Sequence, residues 1–193
     1  MKQVAQLPLA LAILDRLKIQ QSVFRDFVLV LASSWMIALT AQLAIPLPFT
    51  PVPITGQTLG VMLFGAALGS NRGFLAVLSY LLQGGLGLPF FAGGASGWLL
   101  FAGPTGGYLV GFLAAAYFCG LMAENLKDRH IKSAIPAFVV AQIFIFGFGL
   151  GWLGVVTGFE NLLVKGFYPF LPGLLIKSAL AGLLLPFVWK QVR

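Results

Sequence analysis

One lysine inside an apolar segment is the residue best placed to do chemistry in this 193-residue chain. Residues 168–189 read YPFLPGLLIKSALAGLLLPFVW, and Lys177 is the only charged residue among them. A charge near the bilayer centre costs a few kcal/mol or more, so such residues usually have a function. No carboxylate accompanies Lys177 in this segment, which predicts that the ammonium binds an anionic group of a ligand. Snorkelling of the side chain to the outer interface is the alternative.

Other polar side chains lie at the ends of apolar runs, where they could line the same site as Lys177. A buried amide needs hydrogen-bond partners, which favours glutamine as a ligand contact. Threonine and tyrosine near an interface more often cap helices or sit in the aromatic belt. The predicted polar lining consists of Thr55, Gln57, Tyr80, Gln83, Thr105 and Tyr108.

The sequence shows no catalytic or metal-binding constellation. The five carboxylates do not form an acid–base pair within an apolar segment. Cys119 and His130 are each the only residue of their type, so neither a disulfide within the chain nor a metal site is predicted. There is no GxSxG, no HExxH and no GxxxxGK[ST] phosphate loop. We therefore predict a protein that is not an enzyme, holds no cofactor or metal and cannot hydrolyse ATP by itself.

The composition requires a lipid environment, because 59% of the residues are hydrophobic and only 9% are charged. Charged residues are missing from three long stretches, 27–71, 73–123 and 133–159. The net charge of +7 comes from basic residues that flank these stretches, which is typical of topology signals and not of nucleic-acid binding. The sequence predicts a single membrane domain over 1–193.

The apolar stretches predict an all-α integral membrane protein with six transmembrane helices. An N-terminal segment, 1–22, precedes them and contains a short interfacial helix at about 7–18. The six helices lie within about 24–190, and each stretch can hold one or two spans of about 20 residues. The predicted spans are about 24–45, 56–69, 72–87, 104–123, 134–157 and 170–189.

The distribution of basic residues predicts that both termini are cytoplasmic. With six spans, ten of the twelve lysines and arginines fall on the cytoplasmic side, as the positive-inside rule requires. Lys165 and Lys177 remain near the outer side. The cytoplasmic ten are Lys2, Arg16, Lys18, Arg25, Arg72, Lys127, Arg129, Lys132, Lys190 and Arg193.

Two outer loops are predicted to cap a ligand pocket. Residues 46–56, PLPFTPVPITG, contain four prolines and should be stiff and extended. Residues 84–103 carry no charge and are rich in glycine and aromatic residues, so they are expected to lie against protein or line a cavity. In the first span, Ser34 and Ala38 have the spacing of a small-residue helix contact and could face a partner protein.

Several motifs together resemble the BioY family, the biotin-binding substrate components of energy-coupling-factor vitamin transporters. They are IPLPFTPVPITGQTLGVMLFGAALG, GGLGLPFFAGGASG, GPTGGYLVGF and PFLPGLLIK, and the resemblance runs from about Phe24 to Lys190. It implies biotin capture at the outer face of a bacterial cell membrane and docking onto a transmembrane coupling protein driven by two ATPases. It also implies that Lys177 binds the valerate carboxylate of biotin and that Gly93 and Gly94 belong to the binding loop.

The chain departs from the family pattern at one position of the predicted site. The family typically has Gly-Asp-x-x-Lys in the last span, whereas Leu174 occupies the aspartate position here. An acid three residues before Lys177 would share its helix face. This departure keeps open a substrate component for another vitamin or small carboxylate. A membrane assembly protein that does not transport is a separate alternative.

Overall fold

The computed structural model describes residues 7–192 as a bundle of helices joined by short loops. Predictions for Lys2, Arg193 and the first six residues lie outside this range. Two single-turn 3-10 helices, Ala92–Gly94 and Lys127–Arg129, lie in loops, and a third, Tyr168–Phe170, leads into α9. The α-helices are α1 Leu9–Arg16, α2 Val23–Ala41, α3 Gln57–Leu68, α4 Ser70–Gly85, α5 Leu99–Ala102, α6 Gly106–Glu124, α7 Ile131–Thr157, α8 Leu162–Gly166 and α9 Leu171–Val192.

Four helical stretches within residues 7–192 are long and apolar enough to cross a membrane. They are α2, α6, α7 and the stretch Leu162–Val192, which contains α9. The chain is thus an all-α membrane protein with four long apolar spans. The remaining two predicted spans correspond to α3 and α4, which have 12 and 16 residues. A 12-residue helix extends only about 18 Å, less than the thickness of the hydrocarbon core.

The proline-rich loop after α2 is closed by a small hairpin that the sequence did not predict. Strand β1, Ala44–Ile45, pairs with antiparallel strand β2, Ile54–Thr55. The four prolines lie between the two strands, where no ladder hydrogen bond is needed from their missing amide. The hairpin fixes the direction in which Thr55 enters α3.

Helix α6 forms the centre of the bundle because glycines let its neighbours approach closely. A Cβ on Gly111 would lie 2.9 Å from the Cα of Ile145 in α7, and a Cβ on Gly120 would collide with the backbone at Ser70. By contrast, a Cβ on Gly147 would have no atom within 4 Å, so this glycine faces outward. Close packing of α6 against α4 and α7 therefore uses only some of the glycines at helical spacing.

Polar contacts tie the helices together at the end opposite the hairpin. Asp26 of α2 accepts from Arg72 of α4 at 2.6 Å. Glu124 at the end of α6 accepts from the backbone amide of Ser70 at 2.8 Å. The helix α1, predicted as an interfacial segment, packs on the bundle through three buried residues, and Arg16 donates to the carbonyl of Val192 at 2.7 Å. The basic residues Arg16 and Arg72 thus lie at this end of the bundle.

Candidate ligand-binding site

A cavity of about 440 Å³ lies among α3, α6, α7 and α9, beneath the two predicted outer loops. Its volume is within the usual range for small-molecule sites. Its apolar lining includes Phe91, Leu100, Phe112, Ile145 and Phe146. Loop residues 51–53 and 91–96 contribute to the lining, in agreement with their predicted position over a pocket. The cavity can therefore enclose a small, mostly apolar molecule.

Lys177 lines this cavity and is only partly exposed. Its Nζ donates to the backbone oxygen of Thr55 at 2.6 Å and to Oγ1 of Thr58 at 3.1 Å. None of the ion pairs formed within residues 7–192 includes Lys177. Two of its three N–H donors are used by neutral acceptors, so the charge is solvated locally but not neutralised.

Thr55 and Gln57 also line the cavity, and Tyr80, which does not line it, is hydrogen-bonded to Gln57. The Thr55 hydroxyl donates to Oε1 of Gln57 at 3.0 Å, and Nε2 of Gln57 donates to the Tyr80 hydroxyl at 2.5 Å. Tyr80 is fully buried and its ring stacks on Phe90, with centroids 6.2 Å apart. Because Tyr80 does not line the cavity, its role in the structure is to hold the Gln57 amide in place.

Thr105 and Tyr108, at the start of α6, line the opposite wall. The Tyr108 hydroxyl donates to the carbonyl of Gly166 at 2.8 Å. Its ring contacts Phe146 edge to face, with centroids 6.0 Å apart. Tyr108 thus presents its ring to the cavity while its hydroxyl fixes the segment before α9.

The structure does not bring Gln83 into the cavity. Its Nε2 donates to Ser34 Oγ at 3.0 Å and to Ser79 Oγ at 2.8 Å, and its Oε1 accepts from Trp35 Nε1 at 3.1 Å. The partners that this amide requires are therefore supplied by α2 and by its own helix. This geometry argues against a direct ligand contact for Gln83.

Two further sets of predicted residues lie outside the cavity lining. Ser34 and Ala38 are only 0% and 6% exposed, because this face of α2 packs against the bundle. They are not available to a partner protein in this arrangement. Gly93 and Gly94 have φ values of 67° and 77°, which turn the loop so that the adjacent Ala92 and Ala95 line the cavity. In this structure the two glycines shape the loop and do not themselves line the cavity.

The prediction missed Gln142 of α7, which lines the cavity and is 1% exposed. Its Nε2 has no hydrogen-bond partner among residues 7–192. It lies in the apolar run IPAFVVAQIFIF, outside every motif quoted above, and the rule applied to Gln83 would have found it. Leu174, at the position of the family's aspartate, also lines the cavity.

A family model, two relatives and one solved structure agree with this architecture. Residues 12–193 match the model of the BioY family. A biotin transporter BioY from Rhizobium etli is 38% identical over 170 residues, covering 83% of this chain and 90% of the relative. One from Rhodobacter capsulatus is 41% identical over 168 residues, covering 79% and 86%. The crystal structure of an S-component for biotin from an ECF-type ABC transporter superposes with a TM-score of 0.77 at 26% identity, covering 89% of this chain and 95% of that one. This chain, in which Lys177 lines the cavity, belongs to the BioY family.

Proposed function

We propose that the protein captures biotin as the substrate-binding component of an ECF-type transporter. The observation that carries this proposal is the position of Lys177 in a member of the BioY family. This cation has no carboxylate partner within residues 7–192 and lines a mostly apolar cavity. The relatives named above are transporters and not enzymes, in agreement with the absence of a catalytic motif in the sequence.

The shape and chemistry of the cavity suit biotin. The aromatic and aliphatic walls would enclose the thiophane ring and the alkyl chain, and burial of this apolar surface drives binding. Polar groups of Thr55, Gln57 and Thr105 lie on the same lining. The valerate carboxylate would neutralise Lys177, since an ammonium in a low-dielectric site strongly favours an anionic partner. A neutral ligand would leave that charge unpaired.

The proposed topology has six membrane-crossing helices, with both termini in the cytoplasm. In this arrangement the shorter helices α3 and α4 cross together with the four long ones, and the cavity opens outward beneath the hairpin and the loop 84–103. Close glycine contacts between α6 and its neighbours support a compact six-helix bundle. The basic end of the bundle then faces the cytoplasm.

Energy for uptake would come from partner proteins. The chain has no phosphate loop, so a transmembrane coupling protein and two ATPases would supply ATP hydrolysis, as the family resemblance implies. The face of α2 that is free to meet a partner or lipid is the exposed stripe containing Phe24, Val28, Met36 and Leu39. We propose this stripe, and not Ser34 and Ala38, as the part of α2 available for docking.

The proposal is tested by purifying the full chain in mild detergent and identifying the small molecules that copurify by mass spectrometry. We expect biotin in a ratio near one per chain, and titration of ligand-free protein with biotin should give the same stoichiometry. Protein that neither copurifies with biotin nor binds it on titration would overturn the proposal.

A second candidate function is the capture of another vitamin or small carboxylate. The observation that favours it is Leu174, which removes the family's acid from the cavity wall. A panel of vitamins in a thermal-shift assay distinguishes the two candidates, because a ligand that binds only the native state raises its melting temperature. The largest shift with a compound other than biotin would favour this second function.

A further inference from the structure

We infer that Gln142 is a ligand-binding residue and that its side-chain amide binds the same polar group of the ligand as Lys177. This inference rests on the proposed function and deepens it. It adds to the site a residue that no motif marked, on a helix, α7, that contributed none of the predicted ligand contacts.

Within the described residues, the amide donor of Gln142 makes no hydrogen bond. The residue is 1% exposed, and its Nε2 has no partner within residues 7–192. A buried donor left unpaired is costly, and most such groups in proteins have a partner. Because Gln142 lines the cavity, a ligand oxygen there would satisfy the donor.

Gln142 lies at a depth in the bundle similar to that of Lys177. Gly182 of α9 packs directly against Ile135 of α7, so these two residues lie at the same depth in the bundle and serve as the reference level. Gln142 is seven residues outward from that level, or about 10 Å along its helix. Lys177 is five residues outward, or about 7.5 Å, and Leu174 is eight, or about 12 Å. Gln142 therefore lies at a depth between Lys177 and Leu174.

Leu174 lines the cavity near this depth but offers Lys177 neither a hydrogen bond nor a charge. An amide at the same depth on the neighbouring helix supplies both a donor and an acceptor without adding a charge. A polar group of the ligand at this depth would therefore meet the Lys177 ammonium and the Gln142 amide.

Replacement of Gln142 by the near-isosteric Met tests the inference in the purified full chain. We expect Gln142→Met to weaken biotin binding about tenfold, as for the loss of one buried hydrogen bond, measured by isothermal titration calorimetry. The melting temperature without ligand should be unchanged or higher, since an unpartnered buried amide is removed. Ser178→Ala is the matched control, because Ser178 Oγ is also buried without a partner but does not line the cavity.

Two biotin analogues identify the group that Gln142 binds. Biotinol replaces the carboxylate by an alcohol, and 2-thiobiotin replaces the ureido oxygen by sulfur. Gln142→Met and Lys177→Met should each lose discrimination against the same analogue, because both residues bind one group. Loss of discrimination against different analogues, or equal weakening of all three compounds by Gln142→Met, would overturn the inference.

The outcomes also separate this inference from the proposed function. Unchanged biotin affinity in Gln142→Met, with wild-type protein that binds biotin, would overturn the role of Gln142 alone. Wild-type protein that fails to bind biotin would overturn both. A lower melting temperature of ligand-free Gln142→Met would assign Gln142 a structural role and would also contradict the inference.

Discussion

Replacing Lys177 by Met should weaken biotin binding by about 30-fold. Removal of one partner from a buried, hydrogen-bonded charge pair costs about 2–5 kcal/mol, and each 1.4 kcal/mol is a factor of about ten in affinity. The lower end of this range applies here, because the ammonium already has two neutral acceptors, Thr55 O and Thr58 Oγ1. About 2 kcal/mol corresponds to about 30-fold.

Isothermal titration calorimetry of the purified full chain measures this change, with Lys165→Met as the matched control. Lys165 is the other lysine on the proposed outer side and does not line the cavity, so its replacement should leave the affinity unchanged. Biotinol, which lacks the carboxylate, should bind wild-type protein weakly and should lose little further affinity in Lys177→Met.

Two results would refute this reasoning in different ways. A loss of less than threefold in Lys177→Met would mean that the ammonium does not contact the ligand. An equally large loss with biotin and with biotinol would mean that Lys177 contacts the ligand through a group other than the carboxylate, which leaves the ureido oxygen as the available acceptor. Either result contradicts the pairing of Lys177 with the valerate carboxylate.

Three further predictions concern residues that hold the cavity lining in place or pack the helices around it. Tyr80→Phe removes the acceptor of the buried Gln57 amide and should lower the free energy of unfolding by about 1–3 kcal/mol, seen as a lower melting temperature in the same detergent; an unchanged value would contradict the support role. Tyr108→Phe removes the hydrogen bond to Gly166 that holds the segment before α9. It should speed biotin dissociation more than it slows association in stopped-flow measurements, and equal effects on both rates would contradict this prediction. Gly111→Ala should destabilise the protein by about 1–3 kcal/mol through overpacking against α7, whereas Gly147→Ala, which meets nothing within 4 Å, should not; equal melting temperatures for the two variants would refute the packing argument.

The positions of the six main helices could be predicted because long uncharged stretches are easily recognised in the sequence. Their ends were harder to place, because they depend on local geometry. The first span was predicted to reach residue 45, but α2 ends at Ala41 and the following residues enter the hairpin. Gly69, with φ at 85°, separates α3 from α4 by a single residue. Positive φ at one glycine allows a turn that periodicity does not reveal.

The site could be predicted only in part, because the sequence shows which polar groups are buried but not which partners they find. Lys177, Thr55 and Gln57 line the cavity because a lysine within an apolar helix and polar residues at a loop–helix junction face its interior. Gln83 and Gln142 are both amides in apolar helices. The serines that satisfy Gln83 are 49 and four residues away, whereas no residue in the described range 7–192 satisfies the Nε2 of Gln142. That difference exists only in three dimensions.

The hydrogen bonds of Lys177 also connect ligand binding to the outer loop. Lys177 lies on α9, and its 2.6 Å bond reaches the carbonyl of Thr55 at the end of the hairpin. Charge-assisted bonds of this kind are short and strong, so the hairpin is held in position before a ligand arrives. The third N–H of the ammonium can then bind the ligand without releasing the hairpin. Less loop ordering is needed on binding, and preorganisation of this kind raises affinity without any additional ligand contact.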